Sequence, residues 1–246
     1  MPFRSRGARY AHGGLLLAAT ALLAGCASSP AQPPATSAVP SSPSPAAPTS
    51  PSATAASGPL ADLARLARLG AGASWTGTFA FTPSNPSTPP STVRIYKQGG
   101  QYRIDIVSAS ATTLFMTTPK GYVSCQLGST SRICLLVGPL DHPIPNVFDP
   151  GLQRIITTDL TGLAAAPPEV TVHASGSMAQ EPGLPTAACF QVSGGTVDPG
   201  GYCLSDAGVP RLLTYPTGTL ALTSLSGPPG AQVFTPPVSP TPVPTA

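Results

Sequence analysis

Charged residues are scarce in this chain, 9% of 246, so its solubility rests on Ser, Thr, Gly and the backbone. The 12 basic and 9 acidic residues give a formal net charge of +3. Arg4, Arg6 and Arg9 stand together at the N-terminus, and without them the two signs balance. No basic footprint is left for nucleic acid or for anionic headgroups. Histidine is rarer still: His12, His142 and His173 are the only ones. There is no G-x-S-x-G elbow, H-E-x-x-H helix or phosphate-cradling glycine loop. Asp141-His142 lies among prolines in a loop, where an adjacent Asp and His seldom meet as a triad requires. His173 falls opposite the valines of an alternating run, an exposed strand position. Asp105, between Ile104 and Ile106, is expected on a wet sheet face. The chain reads as non-enzymatic, with neither cofactor nor metal. Long apolar runs are also missing. The stretch Gly14 to Leu23 is too short for an ordinary membrane span of about 20 residues, and no second one follows.

What the N-terminus does contain is an ordered signal. The three arginines form a basic region, Gly14 to Leu23 an apolar one, and Ala24-Gly25 a small-residue cleavage site. Cys26 comes next, so Leu23-Ala24-Gly25-Cys26 resembles the lipobox of bacterial lipoproteins. That resemblance implies a signal peptide over residues 1–25, lipidation of the Cys26 thiol by acyl chains of the palmitate kind, and cleavage before it. The protein would then sit at the cell membrane, lipid-anchored on the extracytoplasmic face. Each buried methylene contributes about 0.8 kcal/mol, so two or three acyl chains hold a protein where one binds only reversibly.

From residue 26 to 58 the composition narrows to Ala, Ser, Pro and Thr with few other residues. Such a segment has too little to bury to offset its chain entropy, and its prolines bias it towards extended backbone. At about 3.1 Å per residue this disordered tether reaches at most on the order of 100 Å. The tail, 237–246, has the same composition and reads as disordered too.

Residues 59–236 suffice for one domain with a sizeable core. Leu60, Leu63, Ala64 and Ala67 follow the helical spacing i, i+3, i+4, i+7, closed by Gly70. The period then changes to two. Short alternating runs span 74–81, 92–98, 101–107, 112–117, 122–126 and 132–137, and again 170–174, 187–192, 202–205, 211–215, 219–225 and 232–235. Gly99-Gly100 and Pro119-Lys120-Gly121 mark tight hairpin turns. Between the two sets, Leu152, Ile155, Ile156, Leu160 and Leu163 are spaced for a helix face, with Asp149 as N-cap and Pro150 at the first position. The expected fold is mainly β (α+β), an antiparallel meander with one or two covering helices.

Four cysteines remain after Cys26: Cys125, Cys134, Cys189 and Cys203. Each neighbouring pair brackets a predicted hairpin, and export places them in an oxidising setting. Of three connectivities, Cys125 with Cys134 and Cys189 with Cys203 is favoured, each bridge contributing around 2 to 3 kcal/mol. A four-thiolate zinc site needs close C-x-x-C spacing, which is absent.

The order of elements resembles the lipoprotein-carrier-like (LolA/LppX-type) superfamily. The resemblance is carried by Trp75-Thr76-Gly77-Thr78-Phe79, Val93-Arg94-Ile95-Tyr96-Lys97, Gly100 to Asp105, Phe115-Met116, Gly121-Tyr122-Val123, Cys189-Phe190, Cys203-Leu204, Gly208-Val209-Pro210 and Val233-Phe234-Thr235-Pro236-Pro237. It implies a curved antiparallel half-barrel with helices in its concavity, holding acyl chains or other apolar ligands. No contact residue carries over by signature. Phe79, Phe81, Ile104, Ile106, Leu114, Met116, Ile155 and Ile156 are the candidates for an apolar lining, or are simply core. Three functions stay open: a binder or carrier of a lipid or other apolar ligand, a structural lipoprotein contacting an envelope protein, and an envelope sensor domain.

Overall fold

A helix, α1 (Pro59–Gly72), precedes the first strand in the computed structural model, which describes residues 57–142, 144 and 154–243. Pro59 at its start lacks an N–H that would have no partner there anyway, and Asp62 in the first turn complements the positive end of the helix dipole. The helix buries Leu63, Ala64, Leu66 and Ala67, each leucine worth about 1.5–3 kcal/mol of transfer free energy. It runs two residues past Gly70. No helix among the described residues is long and apolar enough to cross a membrane.

The first set of period-two runs forms β1 (Ser74–Pro83), β2 (Ser91–Gln98), β3 (Gln101–Val107), β4 (Ala111–Thr118), β5 (Gly121–Gly128) and β6 (Arg132–Gly138). The second forms β7 (Thr171–Met178), β8 (Ala187–Ser193), β9 (Gly200–Leu204), β10 (Pro210–Tyr215) and β11 (Gly218–Ser226). With a last short strand, β12 (Thr241–Pro242), they make one sheet ordered β12-β6-β5-β4-β3-β2-β1-β11-β10-β9-β8-β7. It is open and curved, a half-barrel. Two meanders therefore meet at its middle, where β1 pairs antiparallel with β11.

That order dictates the path between the meanders. The chain leaves β6 near one edge and re-enters at β7 on the other, so the connection must cross a face of the sheet. Among its described residues are one π-helical turn (Ile155–Asp159) and a short helix, α2 (Leu160–Ala164), which packs on α1. Arg68 on α1 donates to the Ala164 carbonyl at 2.6 Å. Leu163 is fully buried. The regular helix expected here is interrupted by the π turn, which brings the carboxylate of Asp159 inside; Asp149, Pro150 and Leu152 lie outside the described residues.

Alternation divides the strands between two faces. Trp75, Phe79, Val93, Ile95, Ile104, Phe115, Leu213 and Leu220 share the main core with α1 and Leu163 on the concave side. Leu114, Met116, Val123, Cys125 and Cys134 form a separate cluster on the convex side. The expected strand 232–235 is instead a 3-10 turn (Ala231–Phe234), and the tail expected to be disordered carries β12, parallel to β6 at Leu135 and Leu136. Pro228, Pro229, Pro236 and Pro237 withhold the donors a long strand would need. The segment lies across the convex side instead, with Val238 packed on the second cluster. Arg103 donates to the Val233 carbonyl at 2.9 Å and grips Asp105 with Nε and Nη2 at 2.7 and 2.9 Å. Asp105 is 6% exposed, so its position is dry and not the wet one its alternation predicted.

Both disulfides link residues directly opposite each other. Cys125 on β5 bonds Cys134 on β6, and Cys189 on β8 bonds Cys203 on β9, as the hairpin reading expected.

Candidate functional site

One row of side chains crosses the concave face near the end of five strands. The hairpin at Gly99-Gly100 sets Lys97 opposite Tyr102, and the β1–β2 pairing sets Trp75 opposite Lys97. On the other side of Tyr102, the Thr117 Oγ1 accepts the Tyr102 backbone N–H at 3.0 Å, and Thr117 stands opposite Tyr122. Because facing residues in neighbouring strands share a face, Trp75, Lys97, Tyr102, Thr117 and Tyr122 all point the same way. They line a cavity of about 410 Å³. Its opposite wall is made by Ala67, Gly70 and Ala71 of α1, by Ile156, Thr157, Leu160 and Thr161 of the crossing segment, and by Leu140, Gly208 and Pro210. This volume is within the range of small-ligand sites, and its lining is largely apolar and aromatic with a few polar groups.

The aromatic floor is ordered by packing from behind. Phe115 stacks between Tyr102 and Tyr122, at centroid distances of 6.1 and 5.9 Å, and Trp75 meets Phe79 edge-on at 6.3 Å. Lys97 is half-buried, and burial pulls its ammonium below the ordinary lysine range. Its Nζ donates to the Ala71 carbonyl at 2.7 Å and to the Gly99 carbonyl.

Of the eight residues expected to line an apolar pocket, Ile156 does so. Phe79 and Ile104 are fully buried core beneath the cavity, and Phe81 and Ile106 pack at the margin of that core. Leu114 and Met116 face the other side, since Leu114 stands opposite Asp105 and Met116 opposite Arg103. The side chain of Ile155 is outside the described residues, as is Cys26. The residues missed, Trp75, Lys97, Tyr102 and Tyr122, carry a signal in the hairpin register, which two of the tight turns already specify.

The only other buried charges near the crossing segment centre on Asp159, among the described residues. Its side chain is 0% exposed, and Arg154 Nε lies 3.5 Å from it with an exposure of 40%. Asp159 accepts from the Asp198 backbone N–H at 3.3 Å, and Tyr202 Oη donates to the Asp198 carbonyl at 2.8 Å. Burial raises the Asp159 carboxyl from 3.8 to about 6, aided by the Asp198 charge and opposed by that backbone hydrogen bond and by Arg154. The folded state thus binds this proton more tightly than the unfolded state. Its stabilisation is complete below the unfolded value and is lost as pH rises through about 6. Unfolding free energy should therefore increase by roughly 1 to 3 kcal/mol between pH 7.5 and 4.5, after allowing for screening around Arg154. Urea midpoints across that window check this. In Asp159→Asn the slope should flatten, and an undiminished slope would assign it to other groups.

His142 Nδ1 and Asp141 Oδ1 are 3.0 Å apart, contrary to expectation, and the contact holds the Asp141 carboxyl below the usual range. Both side chains are solvent-exposed. His173 is on the exposed edge strand β7.

No family model matches the chain, and no curated protein matches it. Among solved structures it is similar to MucB, at 17% identity and a TM-score of 0.47, over 70% of this chain and 60% of MucB. A second similarity is to the MucA/MucB complex of Pseudomonas aeruginosa, at 18% and 0.43, over 71% of this chain and 60% of the matched one. LprF from Mycobacterium bovis is similar at 14% and 0.41, over 70% of this chain and 94% of LprF. The chain thus spans about 60% of the length of MucB.

Proposed function

We propose that this chain is an extracytoplasmic, lipid-anchored binding protein without catalytic activity, and that its concavity takes an apolar ligand such as a lipid acyl chain. The cavity between α1, the crossing segment and the Trp75–Tyr122 row carries this reading. It combines a volume of about 410 Å³, an aromatic floor and an aliphatic wall from Ile156 and Leu160. The Cys26 signal supplies the address, and the Pro/Ser/Ala tether gives the domain reach from the membrane.

Trp75 is the single tryptophan of the chain and lines the cavity. Its fluorescence is therefore a local reporter. Titrating the purified mature protein with a long-chain acyl ligand brominated along its tail should quench Trp75 saturably, because bromine quenches only at close contact. The unbrominated ligand should compete the quenching away. Quenching that is absent, or that persists undiminished with excess competitor, would discard the reading.

A further inference from the structure

We propose that the ligand of this cavity is an anionic amphiphile, a single carboxylate or phosphate head on an acyl chain, whose head is held by Lys97 and the indole N–H of Trp75. The inference rests on the binding reading above and adds the chemistry of the head. Three observations carry it.

The first is the charge of the lining. Lys97 contributes a cation, and no aspartate or glutamate is among the described residues that form the cavity. The oxygens that its ammonium meets are neutral backbone carbonyls, of Ala71 and Gly99, and among the described residues it has no ion pair. A charge withdrawn from water is ordinarily paired, so this ammonium has capacity for an anion. Its lowered proton affinity has the same origin, burial without a counter-charge.

The second is Trp75. Only 4% of this residue is exposed, and its Nε1–H has no hydrogen-bond partner among the described residues. Buried indole N–H groups usually find an acceptor. Trp75 and Lys97 are cross-strand partners on β1 and β2, and both residues line the cavity. A carboxylate or phosphate oxygen satisfies both. A methyl ester would offer acceptors without charge, and an amine would meet Lys97 as a like charge.

The third is the arrangement beyond this pair. Tyr102, Tyr122, Ile156 and Leu160 continue the lining as aromatic and aliphatic surface, suited to a hydrocarbon chain. Polar donors at one part of the wall and apolar surface over the rest specify an amphiphile with its head at Lys97.

Lys97 also ties the last turn of α1 to the β2–β3 hairpin, so removing it will cost some stability whatever it binds. The informative quantity is a ratio of affinities. Bromine-labelled fatty acid, its methyl ester and the chain-matched alkyl phosphate are titrated at pH 8 into the full mature chain, with Trp75 quenching as readout. The wild type should prefer the acid or the phosphate over the ester by about tenfold or more, the scale of a charge-assisted hydrogen bond. The tighter of the two names the head. In Lys97→Met the ratio of acid or phosphate affinity to ester affinity should fall to about one, whatever the absolute affinities become, and Lys97→Arg should restore it. Should Lys97→Met not fold, Lys97→Gln replaces it, with folding checked by circular dichroism. Native mass spectrometry of Trp75→Phe should show the same loss in part. An ester that binds the wild type as tightly as both the acid and the phosphate, or a preference that survives loss of the cation, would overturn the inference and leave the binding reading standing. Failure of all three ligands to quench would overturn both.

Discussion

Gly208→Ala is expected to destabilise the domain by roughly 3 kcal/mol or more, a large part of the 5–15 kcal/mol that holds a typical domain together. Gly208 lies between β9 and β10 at φ +75°, a conformation that costs a residue with a side chain about 1 kcal/mol or more. The larger contribution is steric. A Cβ there would come within 2.2 Å of both the Gly70 nitrogen and the Leu66 oxygen, backbone atoms of α1 that cannot rotate away. The helix would have to lift from the sheet, exposing Leu63 and Leu66 and opening the cavity that Gly70 and Gly208 help to line. Gly70→Ala should act alike by contact alone, since its Cβ would lie 2.3 Å from the Gly208 oxygen. Gly72→Ala, two residues on, meets nothing within 4 Å and should be neutral or stabilise by a few tenths of a kcal/mol. Urea midpoints followed by Trp75 fluorescence test the set. A Gly208→Ala midpoint close to that of Gly72→Ala would show that the helix and the turn do not press together as described.

Phe115→Ala should cost about 3–5 kcal/mol, the usual range for emptying a buried aromatic site. Phe115 is fully buried and stacked between Tyr102 and Tyr122, so its removal leaves both cavity tyrosines without backing. Ligand binding should weaken with stability. Met116→Ala should cost about 2–5 kcal/mol as well, yet leave ligand affinity unchanged, because Met116 packs on the convex side with Leu114 and Val123. Denaturant unfolding gives the stabilities and Trp75 quenching the affinities. Parallel loss of affinity in both variants would mean that the faces are coupled through the sheet.

Much of the strand content was legible because a half-buried strand writes its burial as an alternation of period two. The runs Val93 to Lys97 and Tyr102 to Ile106 were bounded closely, and the two-glycine turn between them specified their register. The same rule paired Cys125 with Cys134 and Cys189 with Cys203, since each pair brackets one hairpin. Where period two was read without reference to a face, the lining was mixed. Ile104 and Met116 are both apolar strand residues, but the β3–β4 pairing sets Ile104 opposite Phe115 and sends Met116 to the far side. Asp105 is buried against its alternation for a related reason. Alternation says which face a residue takes, not what covers that face, and the cover here is a proline-rich tail from the other end of the chain.

Sequence by itself determined the local matters: most of the strands, the hairpins and the near-neighbour disulfides. Each depends on residues close in the chain, whose geometry is limited by the peptide unit and by short turns. Only the tertiary structure decided that β1 and β11 meet at the middle of one sheet, that the segment after β6 crosses the concave face, and that Trp75 and Lys97 stand together under α1. Those contacts join residues far apart in sequence. Which distant partners form is set by the best simultaneous burial of all apolar faces, a condition on the whole chain that no short window contains.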